Sequence, residues 1–426
     1  MADAVRARPV PPWAVPPADR ETTLHLVAAH PDGQRVAWQR LTVKVMTYYG
    51  ANIAEAAATV GWTGPLLRRL AFEELPPAGE MLRFEVAWQL DVTPAHQVWI
   101  QPQELPPPQR AWAEAALKPA VTPWFQPKWA AQTLAWLDAE LSEQGLSRAG
   151  PPKTRKHWQI SALWEVPTVT GRVFLKAVPT FFDREVEWTP LLSRELRGAA
   201  PSVLAADRER GLLLLGDRGD PPEQPDLVRV MTHLAQVQQA SLGLPLGTLR
   251  DRGPEFILLW LERLLSDDLL LVGQEGGFTP AEAERLRATH PALVAALERL
   301  AHSPIPRTVG HGDLHNGNLL EQDGQLTFLD WSDICRTHPF LDANPAYFAP
   351  WGSAADQAAL AQAQDAYLAQ WQAYAPPDEL LRLFANALQV GELFRALGYV
   401  DGIQAHVADK TEWHDAHLDH LRKLLP

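Results

Sequence analysis

A single cysteine, Cys335, serves the whole chain of 426 residues. No intrachain disulfide and no cysteine-based zinc site can therefore form. No run of 18 apolar residues occurs, which excludes a membrane-spanning helix. The opening MADAVRARPVPPWAVPP has two arginines but no apolar stretch behind them, so it does not read as a secretory signal. Positive charge is in deficit, with 38 Lys+Arg against 51 Asp+Glu, a net charge of −13 and a pI near 5.5. That balance argues against nucleic acid or an anionic membrane as the main partner. Internal repeats are absent too. A soluble cytosolic protein is expected.

What is present is globular. Hydrophobic residues make up 46% and charged residues 21%. The length exceeds one ordinary core and predicts two or three domains. The 38 prolines gather in linker-like stretches, while the 17 tryptophans are spread out and read mostly as packing residues. Segment 1–122 is nearly neutral, so almost all the negative charge falls after it. That surplus could attract a cationic substrate, although solvation of the surface is the simpler reading.

Residues 1–20 are Pro-rich and read as loose. TTLHLVAAH, the turn Pro31-Asp32-Gly33 and QRVAWQ predict a hairpin. IAEAAATV predicts a helix over 53–60 capped by Gly61. MLRFEVAWQLDV and HQVWIQP are strand-like, and LPPPQ at 105–109 should break any regular element. Helical spacing follows between 127 and 145, with Trp129, Leu134, Leu137 and Leu141 on one side. GPPKTRK (150–156) reads as a basic loop, and ISALWEV with RVFLKAV as a second hairpin. Helical spacing returns at Arg184–Leu196, and GLLLL (211–215) reads as a short buried strand. Beyond 220 the chain is mostly helical, near 226–241, 255–266, 279–301, 354–373, 377–396 and 411–425. Thr279, Pro280 and Glu282 form a capping box with Pro at the first helical position.

The non-helical stretch 308–350 holds the chemistry. It contains VGHGDLHNGNLLEQDGQLTFLDWSD, from Val309 to Asp333. Asp313 lies in a His-rich turn, Asn318 follows five residues later, and a short strand of alternating residues ends on Asp330. A hairpin between them lets Asp313, Asn318 and Asp330 converge. Two oxygen ligands plus one free carboxylate suit magnesium-assisted phosphoryl transfer, in which the carboxylate accepts a substrate hydroxyl proton. His-x-Asp-x-His could alternatively be a hydrolase metal site. That reading leaves Asn318 and Asp330 without a role.

His311, Gly312, Asp313, His315, Asn318 and Asp330 resemble the catalytic stretch of the aminoglycoside phosphotransferase and choline kinase-type family. The resemblance covers about 123–426. It implies an α+β, bilobal protein-kinase-like fold: a small β-rich N-lobe at 123–219 and a large helical C-lobe at 220–426, preceded by a small α/β domain at 1–122. It also implies roles. Asp313 would be the catalytic base or hydroxyl-orienting group, with His315 beside it where protein kinases place a phosphate-facing lysine. Asn318 and Asp330 would hold Mg²⁺, while His311 and Asp342 would support the loop. Lys176, in the apolar strand RVFLKAV, would bind phosphate and pair with Glu185, Glu187 being the second choice. The backbone from Leu215 to Asp217 would meet the adenine.

Two departures accompany the match. The turn expected to cover the phosphates, near KTRKHWQIS (153–161), contains no glycine, leaving Lys153, Arg155 and Lys156 to act by charge. The family's Gly-Asp-Pro is replaced by Thr337-His338-Pro339. The first domain faintly resembles a Nudix domain. With Gly61 on the last signature glycine, Glu55 matches one glutamate, but Ala58 and Thr59 replace the metal-binding pair and Ala54 the arginine. A Nudix-like domain of this kind would be catalytically dead and serve packing or recognition; an unrelated α/β domain is the alternative reading.

The expected function is therefore ATP-dependent transfer, with GTP as the other donor, to a hydroxyl of a small molecule such as an amino sugar or amino alcohol. Asp365, Asp378, Glu379 and Glu392 would be available to a cationic acceptor. A kinase-like module that binds nucleotide without turnover is the first rival, and a metal-dependent hydrolase the second.

Overall fold

Residues 20–29 alternate in side-chain size and polarity, and each set of alternate positions meets a different layer. In the computed structural model, which describes residues 19–44, 50–94, 98–350 and 356–426, they form strand β1 (Arg20–Ala29). It pairs antiparallel with β2 (Val36–Val43) and parallel with β4 (Met81–Leu90), which pairs with β3 (Leu66–Ala78), in the order β2-β1-β4-β3. Leu24, Leu26 and Ala28 face the short helix α1 (Ile53–Ala58), with Trp62, Phe84, Val86 and Trp88. Val27 turns the other way, toward Ala113 and Ala116 of α2 (Pro107–Leu117). Period-two alternation thus builds a helix–sheet–helix sandwich. Gly61, at φ +76°, closes α1 as expected.

Several expectations need correction here. β3 went unread because register shifts near Leu67 and Leu70 interrupt its alternation. LPPPQ begins α2 rather than breaking structure, since Pro at the first helical positions surrenders only an N–H that has no helical partner. HQVWIQP contributes only a bridge from Ile100 to Val36. The Pro-rich start, His96 and Gln97, and the first residues of the helix expected at 354 lie outside the described residues.

A second sheet follows α3 (Trp129–Glu143). Its strands are β5 (Lys153–Trp158), β6 (Ser161–Thr168), β7 (Gly171–Ala177), β8 (Val203–Asp207) and β9 (Leu212–Gly216), in the order β5-β6-β7-β9-β8. Leu137 and Leu141 of α3 pack with Trp164, Val166, Leu175 and Leu214 on one face. GPPKTRK is therefore only in part a loop: its basic residues belong to β5, an edge strand, where charged side chains are well placed against further pairing.

The chain divides into two compact units. One comprises the described residues up to Pro179 together with Leu204–Asp217 and holds both sheets. The other comprises Thr180–Val203 and Arg218–Pro426. The second unit contains α4 (Asp183–Glu195), α5 (Leu227–Ala240), α6 (Pro254–Leu264), α7 (Asp267–Leu270), α8 (Pro280–Ala288), α9 (His290–Ala301), α10 (Gln357–Ala369), α11 (Pro377–Leu397) and α12 (Leu418–Arg422). The helix expected over 279–301 is two: Pro291 supplies no N–H and the chain restarts at His290. Its capping box is present, with Glu282 N donating to Thr279 Oγ1 at 3.2 Å and Thr279 N to Glu282 Oε2 at 2.8 Å. Two small ribbons lie among the helices, β10 (Thr308–Gly310) with β13 (Cys335–Thr337) and β11 (Leu319–Gln322) with β12 (Gln325–Phe328). No described helix is long and apolar enough to cross a membrane.

Candidate active site

β10 delivers the chain into the turn His311–Asn318, and β11 carries it away. Gly312 has φ +87°, and a Cβ there would stand 2.6 Å from Asp333 Cβ, so both conformation and space demand glycine. His311 is buried and anchors the turn. Its Nε2–H donates to the Leu329 carbonyl at 2.9 Å, Nδ1 accepts from Asp313 N at 3.3 Å, and the ring lies 4.6 Å from that of Trp331. Burial lowers its pKa against the pull of Asp342, and the imidazole stays neutral. Asp342 accepts from His311 N at 2.6 Å and Gly312 N at 3.3 Å, holding the loop from below.

Asn318 links the parts. Its Nδ2 donates to the Asp313 carbonyl at 2.9 Å, and its own carbonyl accepts from Leu329 N at 2.8 Å. The amide nitrogen being committed, Oδ1 is the end available to a cation. Asp330, one residue after Leu329, has φ +69°, a left-handed backbone that costs a non-glycine residue about 1–3 kcal/mol. Its Oδ1 accepts from Ser332 Oγ at 2.9 Å. Asp313, Asn318 and Asp330 are thus tied into one turn of chain. A carboxamide oxygen and a carboxylate are hard donors that fit Mg²⁺. Among the described residues no group of three or more His, Cys, Asp or Glu could hold a metal ion.

Asp313 is half-exposed, and its surroundings hold it ionised. Burial of the loop pushes the carboxyl up, but His315 and Arg395 outweigh this and leave it well below the usual carboxylate range. His315 Nδ1 accepts from Gly317 N at 3.0 Å, which aims Nε2 at Asp313 Oδ2, 3.6 Å away. Arg395, from α11, went unnoticed in the sequence. It donates from Nη1 to Asp313 Oδ1 at 3.1 Å and from Nη2 to the Leu314 carbonyl, and its guanidinium lies 3.7 Å from the centre of the Tyr347 ring. Tyr347 in turn donates to Glu392, which also receives His420 Nδ1 at 2.6 Å and Lys423 Nζ at 3.3 Å. Burial would raise Glu392, but His420 and Lys423 bring it down to about 2. Its carboxylate is therefore engaged within the protein. Glu379 is likewise paired, with Arg382 at 2.7 Å, while Asp365 and Asp378 are exposed.

Asp333 is a second acid beside this loop. Burial raises its pKa to about 6 despite Arg252 Nη1 at 3.3 Å, and Asp313 and Asp330 add to the rise. Cys335 is buried in β13, its thiol pushed far up by desolvation. His338 Nδ1 accepts from Phe340 N at 3.2 Å and caps the helical turn Pro339–Asp342, a task that an aspartate carboxylate at this position could also perform.

The remaining expected residues fall as follows. Lys176 on β7 is 5% exposed and belongs to the unit of the two sheets. Glu185 on α4 is 2% exposed and belongs to the helical unit. Glu187 is bonded to Arg184 at 2.9 Å. Leu215 is buried on β9, paired with Phe174, and the Asp217 carboxylate accepts from Arg172 Nε at 2.8 Å. The glycine-free turn is only Gln159–Ile160. Of its basic neighbours, Arg155 is paired with Glu165 at 2.9 Å and Lys156 Nζ lies 5.6 Å from the centre of the Trp158 ring.

A family model described as "Phosphotransferase enzyme family" matches residues 160–380, just over half of the chain. Among solved structures, the chain is similar to a choline/ethanolamine kinase family protein from Mesorhizobium loti. The identity is 15%, over 69% of this chain and 94% of that one, with a TM-score of 0.48. It is also similar to macrolide 2'-phosphotransferase type I, at 18% identity over 68% and 97%, TM-score 0.42. A third is ethanolamine kinase from Plasmodium vivax, at 14% over 66% and 83%, TM-score 0.43. No curated protein matches the sequence.

Proposed function

The chain belongs to the phosphotransferase enzyme family, with its α+β protein-kinase-like fold, and we propose that this small-molecule phosphotransferase moves the γ-phosphoryl group of ATP, with GTP as the alternative donor, to a hydroxyl of its substrate. The observation that carries the reading is the joined turn in which Asn318 bonds the backbone on either side, to Asp313 and to Leu329.

Asp313 orients the acceptor hydroxyl and takes its proton as the oxygen attacks the γ-phosphorus. The bond between that phosphorus and the β–γ bridging oxygen breaks, and the diphosphate departs. A strongly ionised carboxylate suits a loose transition state, in which positioning matters more than early proton removal. Arg395 fixes the carboxylate by one bond to Oδ1 and secures the loop by another to the Leu314 carbonyl. Asn318 Oδ1 and the Asp330 carboxylate would hold Mg²⁺, which supplies charge neutralisation at the phosphates. Lys176 binds phosphate, and the Leu215–Asp217 backbone receives the base. His315 steers Asp313 from its other oxygen. The division into segments 1–122, 123–219 and 220–426 remains part of this reading. So does a cytosolic location, where the lone thiol of Cys335 stays reduced.

The test is ADP release from Mg²⁺-ATP on addition of hydroxyl-bearing amines and sugars, by the parent and by Asp313→Asn. The variant should lose about 10³-fold in turnover while keeping its affinity for ATP. An active variant would overturn the role of Asp313. A parent that binds ATP but never cleaves it would favour the non-catalytic reading, to which the glycine-free turn lends some weight.

A further inference from the structure

The turn Gln159–Ile160 is the one that the proposed function sets over the phosphates, and it has neither glycine nor a positive φ. A glycine-rich loop brings its amides close to phosphate through backbone freedom. A two-residue turn without glycine has no such freedom and must be presented in the right geometry by whatever supports it.

The support comes from outside the second sheet. His157, the penultimate residue of β5, is 2% exposed, and its Nε2–H donates to the carbonyl of Leu67 on β3 at 2.7 Å. Burial lowers its pKa to about 4, so the ring donates as a neutral imidazole. On the other side of the strand end, Trp124 Nε1 donates to the carbonyl of Trp158, the residue that opens the turn, at 2.7 Å. Trp158 Nε1 closes the turn on Ser161 Oγ, also at 2.7 Å. The ring of Phe125 lies 5.6 Å from that of His157. Gly50 completes the seam: a Cβ there would stand 3.2 Å from His157 Cβ and 2.6 Å from Leu66 Cδ2. All these residues belong to one compact unit.

We propose that the first domain, through β3, together with the Trp124–Phe125 turn that follows it, is a built-in brace for nucleotide binding. β3 and the Trp124–Phe125 turn hold the end of β5 and so fix the phosphate-covering turn that glycine would otherwise adapt. The proposal rests on the reading that this turn covers the phosphates of ATP. It gives the first domain a part in nucleotide affinity that needs no chemistry of its own.

The experiment uses the full chain and isothermal titration with Mg²⁺-ATP and with adenosine. A brace for a phosphate-covering turn should matter to ATP and not to adenosine. His157→Leu and Trp124→Phe should each raise the Kd of ATP about tenfold, the factor expected for one lost buried hydrogen bond, while adenosine binding stays within about twofold. His157→Gln, whose amide can donate to Leu67, should restore the parent value. Equal weakening of both ligands would overturn the proposal, since that is what a merely structural seam does. So would an unchanged ATP affinity in a folded Trp124→Phe variant, which is the milder change should His157→Leu fail to fold. A parent that does not bind Mg²⁺-ATP would instead sink the phosphotransferase reading, and the brace with it.

Discussion

His338 offers a measurable link between protonation and stability. It is fully buried, with Nδ1 accepting from Phe340 N and Nε2 facing Ser303 Oγ at 3.0 Å. Desolvation lowers its pKa from 6.5 to about 3, with Arg307 adding to the fall. The native state therefore binds fewer protons at this position than the unfolded chain. Its stabilising contribution is complete above 6.5 and is lost as pH falls from there toward 3. Linkage puts the loss at about 1.4 kcal/mol at pH 5.5 and about 2.7 kcal/mol at pH 4.5, relative to pH 8. His338→Asn keeps an oxygen able to cap Phe340 N but cannot titrate. Urea denaturation of parent and variant, followed by tryptophan fluorescence from pH 8 to 4.5, isolates the term because every other group cancels in the difference. The parent's advantage at pH 8 should shrink by about 1.4 kcal/mol for each pH unit below 6.5. An offset that stays constant with pH would refute the assignment of a buried, neutral imidazole.

Three further outcomes are expected. Arg395→Met should lower kcat about 10²-fold with little change in the KM for ATP, since the bonds lost are those to Asp313 and the Leu314 carbonyl; steady-state kinetics decides it, and a rise in KM alone would contradict the positioning role. Asp330→Ala should abolish the Mg²⁺ dependence of ATP affinity, read by titration with and without EDTA; an unchanged dependence would remove Asp330 from the metal site. Gly312→Ala should destabilise by about 3 kcal/mol or more, because a left-handed residue would also drive its methyl onto Asp333, and a thermal melt within 2 °C or so of the parent would show that the loop yields.

Local chemistry was the legible part. The residues from His311 to Asp330 are close in sequence, so their spacing alone brings this turn together, and the hairpin at β6–β7 places Lys176 by simple alternation. Arg395 was not legible because 82 residues separate it from its partner Asp313. Its only cue is a charged residue in the apolar run of α11, between Phe394 and Ala396, both buried. β3 was hidden by its bulges, and α2 by prolines that mark a helix start as readily as an interruption. Glu392 looked like a free acid for a cationic substrate. Only packing reveals that Tyr347, His420 and Lys423 already occupy it.

The chain's path between its two units has a practical result. β7 takes its antiparallel partner β9 from Leu212–Gly216, after the excursion Thr180–Val203 into the helical unit. No single cut of the polypeptide can therefore release either unit whole. A protease nicking between 180 and 203 leaves β9 covalently attached to the other fragment. On the ribosome, β7 has β6 beside it but waits for its other partner, β9, until residue 216 has emerged. Truncation between 180 and 203 strips β9 from β7 and yields a fragment with an open sheet edge, and an insoluble product of that kind would report on connectivity and not on intrinsic stability.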